Sequence, residues 1–188
     1  MSLSAAEDYL AIALSATKDN ADSLADVLDR LPVAIYITDA HGTITHFNRA
    51  CIALAGRVPV IQHDKWCVTW KLYTLDGAPL PHDQCPMAVA IREARSIRGV
   101  EAIAERPDGT RLNFVPYPTP LFDEGGALVG AVNLLVDVTQ ERHADHLRRQ
   151  ALRCRRLALF VDDERTSTTL TAMAEEYETN ASQLLTPN

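Results

Sequence analysis

Residues 99–139 read GVEAIAERPDGTRLNFVPYPTPLFDEGGALVGAVNLLVDVT, three strand-like runs joined by two glycine turns. Val100, Ala102 and Ala104 alternate with Glu101, Ile103 and Glu105, which is the period-two pattern of a half-buried strand. Pro107, Asp108 and Gly109 then supply a tight turn before Leu112, Phe114 and Val115, so the first two runs predict a hairpin. A second turn at 123–126 leads into 128–138, whose length and almost unbroken apolar character suit a central strand buried on both faces. Together they predict a three-stranded antiparallel meander that closes on Asp137, Val138 and Thr139.

Upstream, 33–39 and 43–48 are two shorter strand candidates around Ala40, His41 and Gly42, a turn whose glycine is free to take positive φ. Between the pair and the trio, 83–95 places Met87, Ala90, Ile91 and Ala94 at i, i+3, i+4 and i+7, the spacing of a helix with one apolar stripe. The order is therefore strand, strand, helices, then three strands, an α+β arrangement of five strands.

The flanks are helical in pattern. Ser4 and Glu7 have the spacing of a capping box for a helix over 5–17, and Leu24, Val27, Leu28 and Leu31 mark a second amphipathic helix leading into the first strand. After Thr139, Ala144, Leu147, Ala151, Cys154, Ala158 and Val161 step by three and four, a seam of about five helical turns. Asp162 and Asp163 interrupt it, with Asp163 placed as a helix N-cap. Leu170, Met173, Tyr177, Ala181 and Leu184 form a second seam before Pro187, so the C-terminus reads as a helical hairpin, folded on itself or shared with a partner.

These words in this order resemble the PAS domain family over roughly residues 23–139. The resemblance is carried by the lead helix ending in Leu31 and Pro32, by Ile37, Thr38, Asp39, Gly42, Ile44, Phe47 and Asn48, by Asp76 and Gly77, and by the closing Asp137, Val138 and Thr139. Trp66, Cys67 and the following LYTLDGAPLPHDQCPMAVAI are similar to PAS modules of bacterial signalling proteins. The resemblance implies a five-stranded antiparallel sheet cupping a small cavity under short helices; the expected division is an N-terminal helix over 1–22, the domain over 23–139 and a C-terminal helical extension over 140–188. It also implies flanking helices that pack on the outer sheet face or against a second subunit, hence a homodimer.

Composition narrows the function classes. The 188 residues are 47% hydrophobic and 23% charged with formal net charge −7. That balance argues against a broad phosphate-binding surface, since nucleic-acid affinity comes largely from clustered Lys and Arg. The local basic run Arg148, Arg149, Arg153, Arg155 and Arg156 reads as a solvated helix face. No apolar run approaches the roughly 20 residues of a membrane helix, and four cysteines without a short-spacing framework fit reduced thiols, so a cytoplasmic chain is expected. Leu159 to Glu164 imitates the first strand of a receiver domain, but only 24 residues follow it. His143 and His146 open the exit helix with no ATP-binding segment after them, and read as exposed helix residues.

For a site, the cavity that the resemblance implies draws on Trp66, Trp70, Met87, Ile91, Asn113, Phe114, Tyr117 and Asn133. Asn133 stands out, because an amide inside an apolar strand must find hydrogen bonds to ligand, water, backbone or Asn113. His63, Cys67, His82 and Cys85 form two pairs with zinc-ligand spacing, set against a reading in which the cysteines pack the core. Haem-binding relatives use a histidine on the last helix, which 84–96 lacks, and nothing matches the cysteine word of flavin photosensors, since Asn48 precedes Arg49, Ala50 and Cys51. Haem, flavin and zinc are thus not expected, and no triad, phosphate loop or paired-glutamate motif points to an enzyme.

The expected function is a sensor or interaction protein. A small ligand or partner would act on the cavity or sheet, and Asp137 and Thr139, at the strand-to-helix joint, would pass the signal to a separate effector such as a histidine kinase or regulator. The alternatives are a ligand-free dimerisation or docking module and a catalytic or zinc-binding variant.

Overall fold

The structure, a computed structural model, describes residues 3–17 and 24–186. It divides into two compact units, 1–137 and 138–188. The first opens with α1 (Leu3–Ala16) and α2 (Leu24–Asp29). The capping box expected from Ser4 and Glu7 rests on a serine side chain that lies outside the described residues. Glu7 accepts from Arg98 Nε at 2.9 Å.

Strands β1 (Ala34–Asp39) and β2 (Ile44–Phe47) form the first hairpin. Asp39 Oδ1 accepts from the backbone N–H of His41 and Thr43 and so closes the turn. Gly42 takes φ +77°, and a Cβ there would stand 2.1 Å from the Trp66 ring. Asn48 then caps α3 (Arg49–Ala55). A long irregular segment leads to β3 (Lys71–Tyr73), and a single 3-10 turn, His82–Gln84, precedes α4 (Pro86–Glu93). This helix is shorter than the pattern over 83–95 predicts. Pro86 at its first position lacks the N–H an upstream turn would need, and Ala94 ends it in a left-handed conformation at φ +49°. Met87, Ala90 and Ile91 of the predicted stripe are buried; Ala94 is exposed.

The last strands are β4 (Ala102–Glu105), β5 (Arg111–Pro116), β6 (Thr119–Phe122) and β7 (Leu128–Asp137). The sheet runs β2-β1-β7-β5-β4-β3, every pair antiparallel, with β6 also on β7. The long apolar β7 is central, between β1 on one side and β5 and β6 on the other. Beyond the five strands read from the sequence, the sheet contains the short β3 and β6. The proline rhythm Pro116, Pro118, Pro120 explains β6: alternate residues share a side, so Tyr117 still donates to Leu134 O at 2.8 Å while the side away from β7 has no donors. On that side the Ile97 N–H and the Arg98 guanidinium both donate to the Pro118 carbonyl. Gly130 is needed where β1 crosses closest, since a Cβ would lie 2.0 Å from the Thr38 carbonyl oxygen.

The inner sheet face, from Ala34, Tyr36, Leu112, Phe114, Ala131 and Leu135, packs against Cys51 and Leu54 of α3 and Met87, Ala88 and Ile91 of α4. On the opposite face α1 packs along β7 and buries Ala6, Leu10 and Ala13.

The second unit is an antiparallel hairpin of α5 (Thr139–Ala158) and α6 (Glu164–Leu184), with Asp163 capping α6 through the Thr166 N–H at 2.8 Å. Ala144, Ala151 and Cys154 line the α5 seam as the spacing predicts. On α6 the buried residues are Ala174 and Ala181, while Met173 is 40% exposed. Of the predicted seam, Ala181 is buried, Tyr177 packs against Ala151, Cys154 and Ala174, and Leu170 and Leu184 are half-buried; at Met173 the smaller Ala174 takes the buried place instead.

Candidate signal-input core and exit strand

A chain of hydrogen bonds runs through the inner core. Tyr36, wholly buried, donates its hydroxyl to the Trp66 carbonyl at 2.8 Å and accepts from Asn133 Nδ2 at 2.9 Å. Asn133 Oδ1 in turn accepts from the Tyr117 N–H at 3.0 Å, at the break between β5 and β6. The buried amide is thereby satisfied by backbone and by a tyrosine, while Asn113 pairs with Glu101 at 3.1 Å. Trp66 holds φ +68°, a conformation rare for a bulky residue. Its N–H donates to the Gly42 carbonyl at 2.7 Å, and its carbonyl is also approached by the Cys85 thiol at 3.8 Å.

The eight cavity candidates fall into three places. Met87, Ile91 and Phe114 are buried in the inner core with Asn133 beside them, and Trp66 packs against it half-buried. Tyr117 and Asn113 point to the face that α1 covers, Tyr117 beneath the Arg98 guanidinium at 5.4 Å. Trp70 is 44% exposed, with Lys71 Nζ 4.3 Å from its ring centre, and lines an outer groove with Tyr73, Leu80 and His82. Tyr36 is not among the candidates the sequence offers; its signal there is a phenol in the inward register of β1, which it shares with the buried Thr38.

Three thiols share this core, and none of the chain's cysteines is in a disulfide. Burial pushes the Cys51 and Cys67 thiols up and Cys85 to about 12, and Tyr36 rises for the same reason. All four groups are neutral near pH 7, so the core offers thiols as weak donors and not as nucleophilic or metal-binding thiolates. Among the described residues no three His, Cys, Asp or Glu side chains are grouped to hold a metal ion. Of the zinc candidates, the His63 side chain is 82% exposed beside Asp64, while Cys67 and Cys85 are buried. His82 is half-buried with no hydrogen-bond partner at Nε2.

From Asn133 the same strand continues to Asp137, and α5 begins at Thr139. Val138, without a capping side chain, is the N-cap of α5. A groove of about 370 Å³ opens at this end of β7, between Leu135 and Asp137 on one side and Pro32, Leu54 and Arg106 on the other. Arg106 is fixed there by donating to the carbonyls of Ala53 and Leu54 at the end of α3.

A curled antiparallel sheet with helices closing one face over a core that holds buried polar groups defines a small α+β domain. The chain belongs to the PAS domain family, whose profile matches residues 32–140. PAS domains are signal-sensing modules. The PAS domain of the fruit-fly ELK potassium channel shares the fold, at 16% identity and TM-score 0.51, over 64% of this chain and 99% of that one. A PAS domain from Colwellia psychrerythraea is 22% identical at TM-score 0.43 over 62% and 94% of the two chains. The LOV domain of a blue-light activated histidine kinase from Erythrobacter litoralis is 21% identical at TM-score 0.43 over 58% and 99%. No curated protein matches the chain. No helix among the described residues is long and apolar enough to cross a membrane.

Proposed function

We propose that this protein is a non-enzymatic cytoplasmic sensor and homodimer in which a small ligand at the inner core alters β7, and β7 alters how α5 leaves the sheet toward an effector in another chain, such as a histidine kinase or regulator. The observation that carries the reading is the placement of Asn133. Its amide joins the inner-core Tyr36 hydroxyl to the β5–β6 break, on the strand that runs directly into α5. A ligand that competes for either bond must bind the two arrangements of β7 unequally, which is what a two-state relay requires. Asp137 and Thr139 would hold the joint.

Native mass spectrometry of protein purified from its own host tests the ligand. A retained small molecule that is lost in Asn133→Leu supports the sensor. The ligand-free docking module is the second reading, favoured by how fully Met87, Ile91 and Phe114 occupy the inner core. A bare protein whose α5 hydrogen exchange is the same in Asn133→Leu would establish that reading instead.

A further inference from the structure

The groove of about 370 Å³ at the end of β7 contains none of the residues of the Tyr36–Asn133–Tyr117 chain. Its walls are apolar: Pro32, Val33 and Ala34 lead into β1, Ala50 and Leu54 belong to α3, and Leu135 belongs to β7. Its volume lies just above the lower end of small-molecule sites, about 300 Å³, and an apolar lining with few polar groups is the usual make-up of such sites.

The two charged side chains on the groove are Arg106 and Asp137, and they differ. Asp137 is engaged within the protein. Arg106 is half-buried and, among the described residues, forms no ion pair. Asp108, in the same turn, feels its charge but is held by the Thr110 N–H and hydroxyl at 2.8 and 2.7 Å. Three of the five guanidinium N–H groups are committed: Nε to the Leu54 carbonyl at 3.0 Å, Nη2 to the Ala53 carbonyl at 3.2 Å and Nη1 to Thr110 Oγ1 at 3.4 Å. The stem lies against Gly56, where a Cβ would stand 2.8 Å from Arg106 Cδ. The cation is thus fixed in place with one N–H left on each Nη, a pair that matches the two oxygens of a carboxylate. Capping α3 explains the two carbonyl bonds. The helix end supplies only about half a negative charge, so most of the cation's charge is left for another group.

We propose that this groove binds a small organic monocarboxylate, with its carboxylate on the two remaining N–H groups of Arg106 and its hydrocarbon body against Pro32, Leu54 and Leu135. Asp137 on the same groove repels a second negative charge, which is why the class is a mono- and not a dicarboxylate. A molecule held there touches the end of α3, the approach to β1 and the last residues of β7 at once. It would therefore tie down the strand that runs into α5. The site is independent of the inner-core ligand of the sensor reading and gives the same strand a second input.

Two-dimensional NMR of the ¹⁵N-labelled full chain, titrated with butanoate, hexanoate and benzoate and with hexan-1-ol as uncharged control, tests it. Hexanoate should shift the amide signals of Ala53, Leu54, Leu135 and Asp137 and bind roughly tenfold more tightly than hexan-1-ol. Arg106→Gln should erase that preference. Should this variant disturb α3, Ala53→Phe decides: Ala53 lines the groove at an exposed position, so the added ring should abolish the shifts at unchanged far-UV circular dichroism. Asn133→Leu should leave hexanoate binding as it is. Shifts lost in Asn133→Leu but kept in Ala53→Phe would place the carboxylate in the inner core and overturn the groove. Equal affinity for hexanoate and hexan-1-ol would overturn the role of Arg106, and binding of none of the carboxylates would overturn the site.

Discussion

Asn48, 1% exposed, uses both ends of its amide. Oδ1 accepts from the N–H groups of Ile35 and Cys51, and Nδ2 donates to the carbonyls of Leu28 and Val33, so one side chain ties the end of α2, the start of β1 and the start of α3. Asn48→Ala leaves those buried backbone groups unmatched and removes an N-cap, and should cost about 3 kcal/mol in urea unfolding. His82 contributes to the pH dependence of stability near neutrality. Burial, and then the nearby Arg57, holds its imidazole below the ordinary value, with Asp83 opposing weakly. The unfolded chain therefore binds the proton first. Stability is full above the ordinary histidine value of about 6.5 and declines as pH falls through it. His82→Phe should narrow the difference in unfolding midpoint between pH 7.5 and pH 5.5, and an unchanged difference would assign the acid sensitivity elsewhere.

The β1–β2 hairpin depends on an element far along the chain. Trp66 lies across Gly42, receives the Tyr36 hydroxyl at its carbonyl and donates its N–H to the Gly42 carbonyl. Gly42→Ala combines a strained positive φ with a Cβ inside the indole, so Trp66 must leave its seat. Tryptophan emission should shift to the red and the melting temperature should fall; an unshifted spectrum would mean that the ring is not held there. Element type was legible where period and length agreed, as in β7 and α5. The boundaries of α4 were not, because Pro86 and the left-handed Ala94 act against a stripe that continues past them. Nor was the exposure of Met173 on α6, since Met173 and Ala174 both suit a seam and only close approach of the two backbones selects the alanine.

As a whole the chain is two units of unequal self-sufficiency. The first closes a core from six sheet strands and two helices, whereas the second has a buried cluster of Ala151, Cys154 and Ala174 with Tyr177 against it. A segment that buries so little should not fold alone. Residues 139–188 expressed separately are expected to show weak helical circular dichroism when dilute, and strong helicity there would contradict this. The sequence by itself determined the α+β order, the central β7, the hairpin and the PAS family, because periodicity, turn glycines and proline positions act through neighbours in the chain. Only the tertiary structure decided which candidates meet. Trp70 and Trp66 are four residues apart, yet one is at the surface and the other against the core, while Tyr36, Trp66 and Asn133 join across three distant segments. Those contacts depend on sheet register and on the path of 56–70, and neither is set by local spacing.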